Sequence, residues 1–304
     1  MQPTEKAEDR IVSFIKAKGP STGFEIKEAL DLDYLGLWRA CQGSALLRME
    51  RVSRRYLRLD RLVEGFARLS PSILREFLTY TVIGLKNDAE SLNRRAVQLK
   101  EKIEKINREK LQLARALATD IAGLFGKDFP ERSVAFILAG DIVFHMAHDV
   151  PRPERSTGRL VRGSDIDLIV VVSDDLPESF VAELDQAIYR EKYRMLVTPS
   201  INEEIDYIVK RFSRIREQAD FGTFKHMVAC KIMREGILLH GSTELFESIN
   251  GLLSEAGVYQ KLTDLEHAAE TFRSNAEKVL LAGKPDARMF ENLFYSAEES
   301  EEFE

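Results

Sequence analysis

Two short runs of apolar residues constrain this chain more than anything else in it. Ser133-Val-Ala-Phe-Ile-Leu-Ala-Gly140 and the stretch Ile166 to Val172, interrupted only by Asp167, are too short for buried helices and end in turn-forming or acidic residues. Apolar runs of four to eight residues without alternation are expected as strands covered on both faces. Between them Asp141 to His148 reads as a helix and 149–162 as a loop. After them Glu178 to Glu191 is amphipathic and Tyr193 to Val197 reads as a third strand. The rest, about Gln218 to Ala282, reads as helical, broken by Gly236 and His240-Gly-Ser242.

Upstream the pattern differs. Ile11, Phe14 and Ile15 recur at helical spacing and stop at Gly19-Pro20; Phe24, Ile26 and Leu30 form a second helix after Ser21-Thr22. A third is expected from about Asp33 to Arg51, carrying Leu35, Trp38 and Leu46-Leu47, before Arg54 to Asp60 alternates like a strand. Helix, helix, helix, basic strand is the order of a winged helix-turn-helix, whose third helix enters the major groove while the wing touches phosphate. Six arginines lie between Arg48 and Arg61. Arg51, Arg54, Arg55 and Arg58 are therefore candidates for contact with DNA or RNA, against a protein-docking module with a solvated basic face.

Residues 71–124 read as almost wholly helical, entered through Ser70-Pro71. Leu85, Leu92, Leu99, Ile106 and Leu113 stand seven apart; the companions Val82, Ala89, Ala96, Ile103 and Leu117 are apolar, and only Lys110 breaks their series. That is the form of a coiled-coil seam, and predicts a homodimer through the 82–117 helix. The alternative is one helix laying its stripe on its own chain.

Composition excludes several classes. With 304 residues, 44 basic against 50 acidic side chains and a net charge of -6, the chain is long enough for more than one core and too acidic overall to coat nucleic acid. No apolar run reaches the length of a membrane span. The polar start and only two cysteines, Cys41 and Cys230, lead us to expect a cytoplasmic protein without a disulfide framework. The last nine residues carry five glutamates and are expected to be a solvated tail.

Side chains alternate along a strand, so Asp165 and Asp167 should share one side while Ile166 and Leu168 pack on the other. Two carboxylates at the mouth of a buried strand are costly without a cation. A hard divalent ion with oxygen ligands, its remaining positions open to water and phosphate, is the natural partner.

In this context the chain resembles the nucleotidyltransferases of the DNA polymerase beta-like superfamily. The resemblance rests on Leu138-Ala-Gly140 after a first strand, Ser164-Asp-Ile-Asp-Leu168 on the next, and Lys231-Ile-Met-Arg-Glu-Gly-Ile-Leu-Leu-His-Gly-Ser242 beyond the core, and covers about 133–248. It implies an α+β fold: a polymerase beta-like core with mixed sheet, an N-terminal winged helix, a long helical spacer and a C-terminal helical domain. The divisions are 1–70 winged helix, 71–127 spacer, 128–216 core, 217–290 helical domain and 291–304 acidic tail. It further implies that Asp165 and Asp167 bind two Mg2+ (or Mn2+) ions. These would hold a nucleoside triphosphate, ATP being the donor expected, whose α-phosphate a substrate hydroxyl attacks with release of pyrophosphate. Gly140, Asp141, Gly163, Ser164 and Lys231 fall at nucleotide-binding positions.

Two departures accompany this. The family has serine after the glycine, where this chain has Asp141. The interval from Gly140 to Asp165 is long and carries Arg152, Arg155, Arg159 and Arg162, which could neutralise phosphates instead or belong to a surface loop. The third carboxylate is Asp206 if Ile205 to Val209 is a strand, with Glu204 behind it; a helical reading from the Ser200 to Glu203 capping pattern would leave only two acids. His145 and His148 could line the site from the helix after Gly140. The alternative function is a winged-helix DNA-binding regulator carrying an inactive or nucleotide-sensing transferase domain.

Overall fold

The computed structural model describes residues 3–154, 157–283 and 292–295. The chain is α+β and gathers into two compact units, Met1–Lys102 with Leu265–Glu304, and Ile103–Asp264.

In the first unit α1 (Pro3–Lys18) is followed by β1 (Ser21–Thr22) and α2 (Gly23–Ala29). A capping box starts α2: the Thr22 hydroxyl accepts from the Glu25 amide, and the Glu25 carboxylate accepts from the Thr22 amide. Next come α3 (Tyr34–Gly43), β2 (Leu47–Arg51), β3 (Tyr56–Leu59), β4 (Ala67–Ser70), α4 (Ile73–Thr79) and β5 (Thr81–Leu85). Strand β5 lies between β1 and β2, antiparallel to both, and β3 and β4 form a separate hairpin.

Three expectations are corrected here. The third helix ends at Gly43, and residues 47–51 are a strand because they pair edge to edge with the buried strand β5. The segment expected to be helical from Pro71 begins at Ile73, capped by the Ser72 hydroxyl, and is broken by β5. Phe294, in the stretch expected to be a solvated tail, is fully buried with its ring edge-on to Trp38 at 5.8 Å. It joins Ile11, Ile26, Leu78 and Leu280 in one core. Residue 291 and residues 296–304 of that tail lie outside the described residues.

Helix α5 (Ala89–Gly123) contributes to both units. Val82 and Leu85 of the seven-residue pattern lie on β5 instead. Leu92, Ala96, Leu99, Ile103 and Leu117 are buried by the chain itself, and Ile106 and Leu113 pack on the core of the second unit. Apart from exposed Ala89, the stripe on α5 is covered within the chain, as in the alternative of one helix laying its stripe on its own chain.

The second unit is built on a four-stranded sheet. In chain order it contains β6 (Val134–Ala139), the hairpin β7 (Pro151–Pro153) and β8 (Leu160–Arg162), β9 (Ile166–Val172), α6 (Glu178–Val197), β10 (Ile205–Arg211), α7 (Phe212–Gln218), α8 (Phe224–Glu235), β11 (Ile237–Gly241), α9 (Thr243–Glu255) and α10 (Val258–Ala282), whose later turns belong to the first unit. The sheet order is β10-β9-β6-β11, with β10 parallel to β9 and the other neighbours antiparallel. Both apolar runs of the sequence are its central strands, every residue of β6 being buried. Tyr193 to Val197, expected as a strand, is the last turn of α6. Residues 237–241, expected in a helical region, are an edge strand. Among the described residues no helix is long and apolar enough to cross a membrane.

Candidate active site

The site is assembled where β6 ends and where β9 and β10 begin. Gly140 closes β6 with φ of +73°, a conformation open to glycine at little cost. A Cβ there would lie 1.9 Å from the Asp167 carboxylate oxygen, so the missing side chain is what lets Asp167 stand against the turn. Residues 141–148 are not the expected helix. They form a tight turn in which the Met146 amide donates to the Asp141 carbonyl and His145 has φ of +60°. Asn107 on α5 holds this turn from beneath: its side-chain amide donates to the Ile142 carbonyl at 2.9 Å and its oxygen accepts from the Ala147 amide at 3.3 Å. A helix-like sequence is thus bent into a loop by buried hydrogen bonds from another element.

Gly163 turns the chain into β9. Its φ is +58° and a Cβ would strike the His148 carbonyl at 2.0 Å. Ser164 is buried; its hydroxyl donates to Asp141 at 3.2 Å and accepts from the His148 amide at 3.2 Å. Asp165 then stands before the strand and Asp167 on it.

The parallel pairing of β10 with β9 places Asp206. Ile205 is the register partner of Ile166 and Asp206 that of Asp167, so the strand reading holds and the two carboxylates stand side by side on one face. Glu204 falls one step earlier, its carbonyl accepting from the Ile166 amide. The acids therefore form two rows, Asp165 with Glu204 and Asp167 with Asp206.

The rows are electrostatically tense. Burial pushes the Asp167 carboxyl well above the ordinary carboxylate range, and Asp165, Asp141 and Asp206 push it further, against an opposing pull from Lys231. Burial also raises Asp165, with Arg152 pulling it down and Asp206 and Asp141 pushing it up. Glu204 is raised by burial too. Lys192 reaches Asp206 at 3.3 Å. Lys231 on α8 pairs with Glu235 at 2.7 Å and lies 5.5 Å from the centre of the Phe144 ring. Arg152 on the hairpin bridges the outer row, 2.8 Å from Glu204 and 3.6 Å from Asp165.

The structure thus brings Gly140, Asp141, Gly163, Ser164, Asp165, Asp167, Asp206 and Lys231 into one neighbourhood. Of the four arginines of the long interval, Arg152 is drawn into it and Arg155 lies outside the described residues. Sequence reasoning missed Asn107 and the buried pair formed by Lys110 with Glu203, where the Lys110 ammonium also donates to the Arg162 carbonyl at 2.7 Å. One signal was available: Lys110 alone interrupts the apolar companions on α5. Burial lowers the Lys110 ammonium and raises the Glu203 carboxyl.

Whether these residues suit a divalent ion can be judged from the donor set. Among the described residues no three His, Cys, Asp or Glu side chains close on one point as a finished cage. The acids share a face instead, their neighbours' charge pushing Asp165 and Asp167 up, and they offer only oxygen, the donor a hard ion takes. That excess of acid on one face fits Mg2+ or Mn2+.

The basic segment of the first unit is more committed than its composition suggests. Arg55 donates to both oxygens of Glu76, at 2.9 and 2.7 Å, and Arg51 comes within 3.7 Å of the same carboxylate. Arg54 lies between β2 and β3, and Arg58 lies on β3. Although burial raises the Glu76 carboxyl, hydrogen bonds and charge from Arg55 and Arg273 win and bring it down to about 2. Arg273 is itself buried, 2.7 Å from Glu76.

In comparisons with known proteins, no family model matches the chain and no curated protein matches it.

Proposed function

We propose that this protein is a divalent-metal nucleotidyltransferase, moving a nucleoside monophosphate from a nucleoside triphosphate to a hydroxyl acceptor with release of pyrophosphate. The supporting observation is the register of Asp206 against Asp167 on parallel strands, with Asp165 at the mouth of the same strand and a side-chain-free turn at Gly140 facing them. Asp165, Asp167 and Asp206 would hold Mg2+ or Mn2+, which when bound supplies positive charge to the triphosphate and to the oxygens of the transfer. The protein's own part is positioning. The Gly140 turn admits the phosphate chain, Lys231 offers a cation beside Asp167, and Asn107 and Lys110 fix the turn and the strand mouth from below.

Incubation with each α-labelled nucleoside triphosphate and Mg2+ or Mn2+ in cell extract tests this, since whatever carries the label names donor and acceptor class. Transfer is expected from the native chain and is expected to be lost in Asp165→Asn and Asp167→Asn. Undiminished labelling in the double variant refutes the reading.

A second reading is favoured by one observation. Asp141 adds a fourth acid where a triphosphate would sit, which suits a domain that senses nucleotide without transferring it. We read the first unit's order of helices, with β5 between β1 and β2, as a winged helix enlarged by the β3-β4 hairpin. In this alternative it binds DNA. The absence of any labelled product, together with an electrophoretic shift weakened by Arg54→Gln and Arg58→Gln, would favour it.

A further inference from the structure

We propose that Arg152 is the phosphate-binding cation of this site, resting on the carboxylates until metal takes its place and then passing to the phosphate chain of the donor. The inference rests on the transferase reading and assigns within it a residue for which the sequence offered only an arginine-rich insertion.

Three contacts define the guanidinium. Nε donates to the Gly163 carbonyl at 2.9 Å, which ties the side chain to the turn carrying Ser164 and Asp165. Nη1 lies 2.8 Å from the Glu204 carboxylate, a close ion pair. Nη2 lies 3.6 Å from Asp165, beyond hydrogen-bond length, so that contact is held by charge alone. Only Nε is held by a hydrogen bond; both Nη arms meet carboxylates by charge without one, and the looser of them faces a carboxylate proposed as a metal ligand. The side chain is 14% exposed: anchored, yet reachable by a ligand.

The charge count explains why such a residue is needed. Among the described residues Asp141, Asp165, Asp167, Asp206 and Glu204 are five acids, against Arg152, Lys192, Lys231 and Lys110 as cations acting on them. Without metal, Arg152 offsets the outer row. Once a divalent ion holds Asp165, the attraction fixing Nη2 is answered, and its N–H groups are released toward any anion brought in by the metal. Arginine suits this exchange because its planar fork meets phosphate oxygens in pairs while Nε keeps its own bond. The turn after Gly140 has little else to give. Its first residue is the acid Asp141, and the nearby Ser164 hydroxyl is engaged with Asp141 and the His148 amide. Phosphate recognition thus moves from the turn to the hairpin.

The test is equilibrium titration of the full chain, native and as Arg152→Gln, Arg152→Lys and Asp167→Asn. The probes are ATP with Ca2+, inorganic tripolyphosphate with Ca2+, and Mn2+ alone. Arg152→Gln is expected to weaken both ATP and tripolyphosphate by on the order of 10- to 100-fold, the loss of a charge-assisted contact. It should bind Mn2+ alone several-fold more tightly, because the competing cation is gone; a merely structural role would not improve metal binding. Arg152→Lys should recover part of the phosphate affinity. If Arg152→Gln binds ATP as the native chain does while Asp167→Asn does not, this proposal fails and the transferase reading stands. If the native chain binds neither ATP nor tripolyphosphate, both fail. Should Arg152→Gln not fold, modification of native Arg152 by phenylglyoxal decides: ATP with Ca2+ is expected to slow it at least tenfold, and an unchanged rate overturns the proposal.

Discussion

Replacing Gly140 by alanine puts the central geometric argument at risk. The added Cβ would lie 1.9 Å from the Asp167 oxygen, whereas separations below 3.0 Å essentially never occur, so the carboxylate must retreat by about 1 Å. The backbone adds its own cost: at φ of +73° an L-residue pays roughly 1–2 kcal/mol. For a unit of this size that corresponds to a fall in Tm of roughly 2–8 °C. A displacement of about 1 Å in a positioning group costs on the order of 100-fold in rate. Gly140→Ala is therefore expected to fold, to melt a few degrees lower, and to lose about two orders of magnitude in labelled transfer. Thermal unfolding by circular dichroism and the labelling reaction measure the two effects separately. A variant as stable and as active as the native chain would show that the turn and Asp167 do not meet, and the reasoning would be wrong.

Other outcomes follow from buried charge. Glu76, held near pKa 2 against 4.5 for a free glutamate, contributes stability that is complete above about pH 4.5 and is lost as pH falls toward 2. The difference is worth about 3 kcal/mol. Glu76→Gln should abolish that acid dependence in urea titrations of the first unit's transition, and should cost about 3 kcal/mol at neutral pH by removing from buried Arg273 one of its two carboxylates, Glu277 at 3.0 Å remaining. Lys110→Met should destabilise the second unit by a similar amount, because Glu203 is left buried and unpaired. Lys110→Met with Glu203→Leu should recover most of the loss; a double variant as unstable as the single would refute the pairing.

What could be read in advance follows from how local each signal is. Strands β6 and β9 were legible because their apolar runs have no helical period, and β10 because β-branched and aromatic residues crowd Ile205 to Val209. Strands β2 and β5 were not. Each is five residues long, and their partners lie thirty or more positions away, so the pattern merged with the neighbouring helices. Val82 and Leu85 matched a seven-residue repeat by coincidence of spacing. The loop at 141–148 failed for a different reason: its bend comes from Asn107, a residue no local window contains. For the site, Asp165, Asp167 and Asp206 were readable as acids flanking apolar strands, whereas Arg152 was one arginine among four until the hairpin placed it.

The closing of the first core by Phe294 and Leu280 has a consequence for synthesis. A ribosome that has made residue 102 still has about 190 residues to add before Phe294 exists, a delay of roughly 10–40 s at typical elongation rates. The second unit, contiguous from Ile103 to Asp264, is finished before the first. The nascent N-terminal helices must wait with Trp38 uncapped while the younger segment matures, so the part of this protein made first is the last to reach its final form.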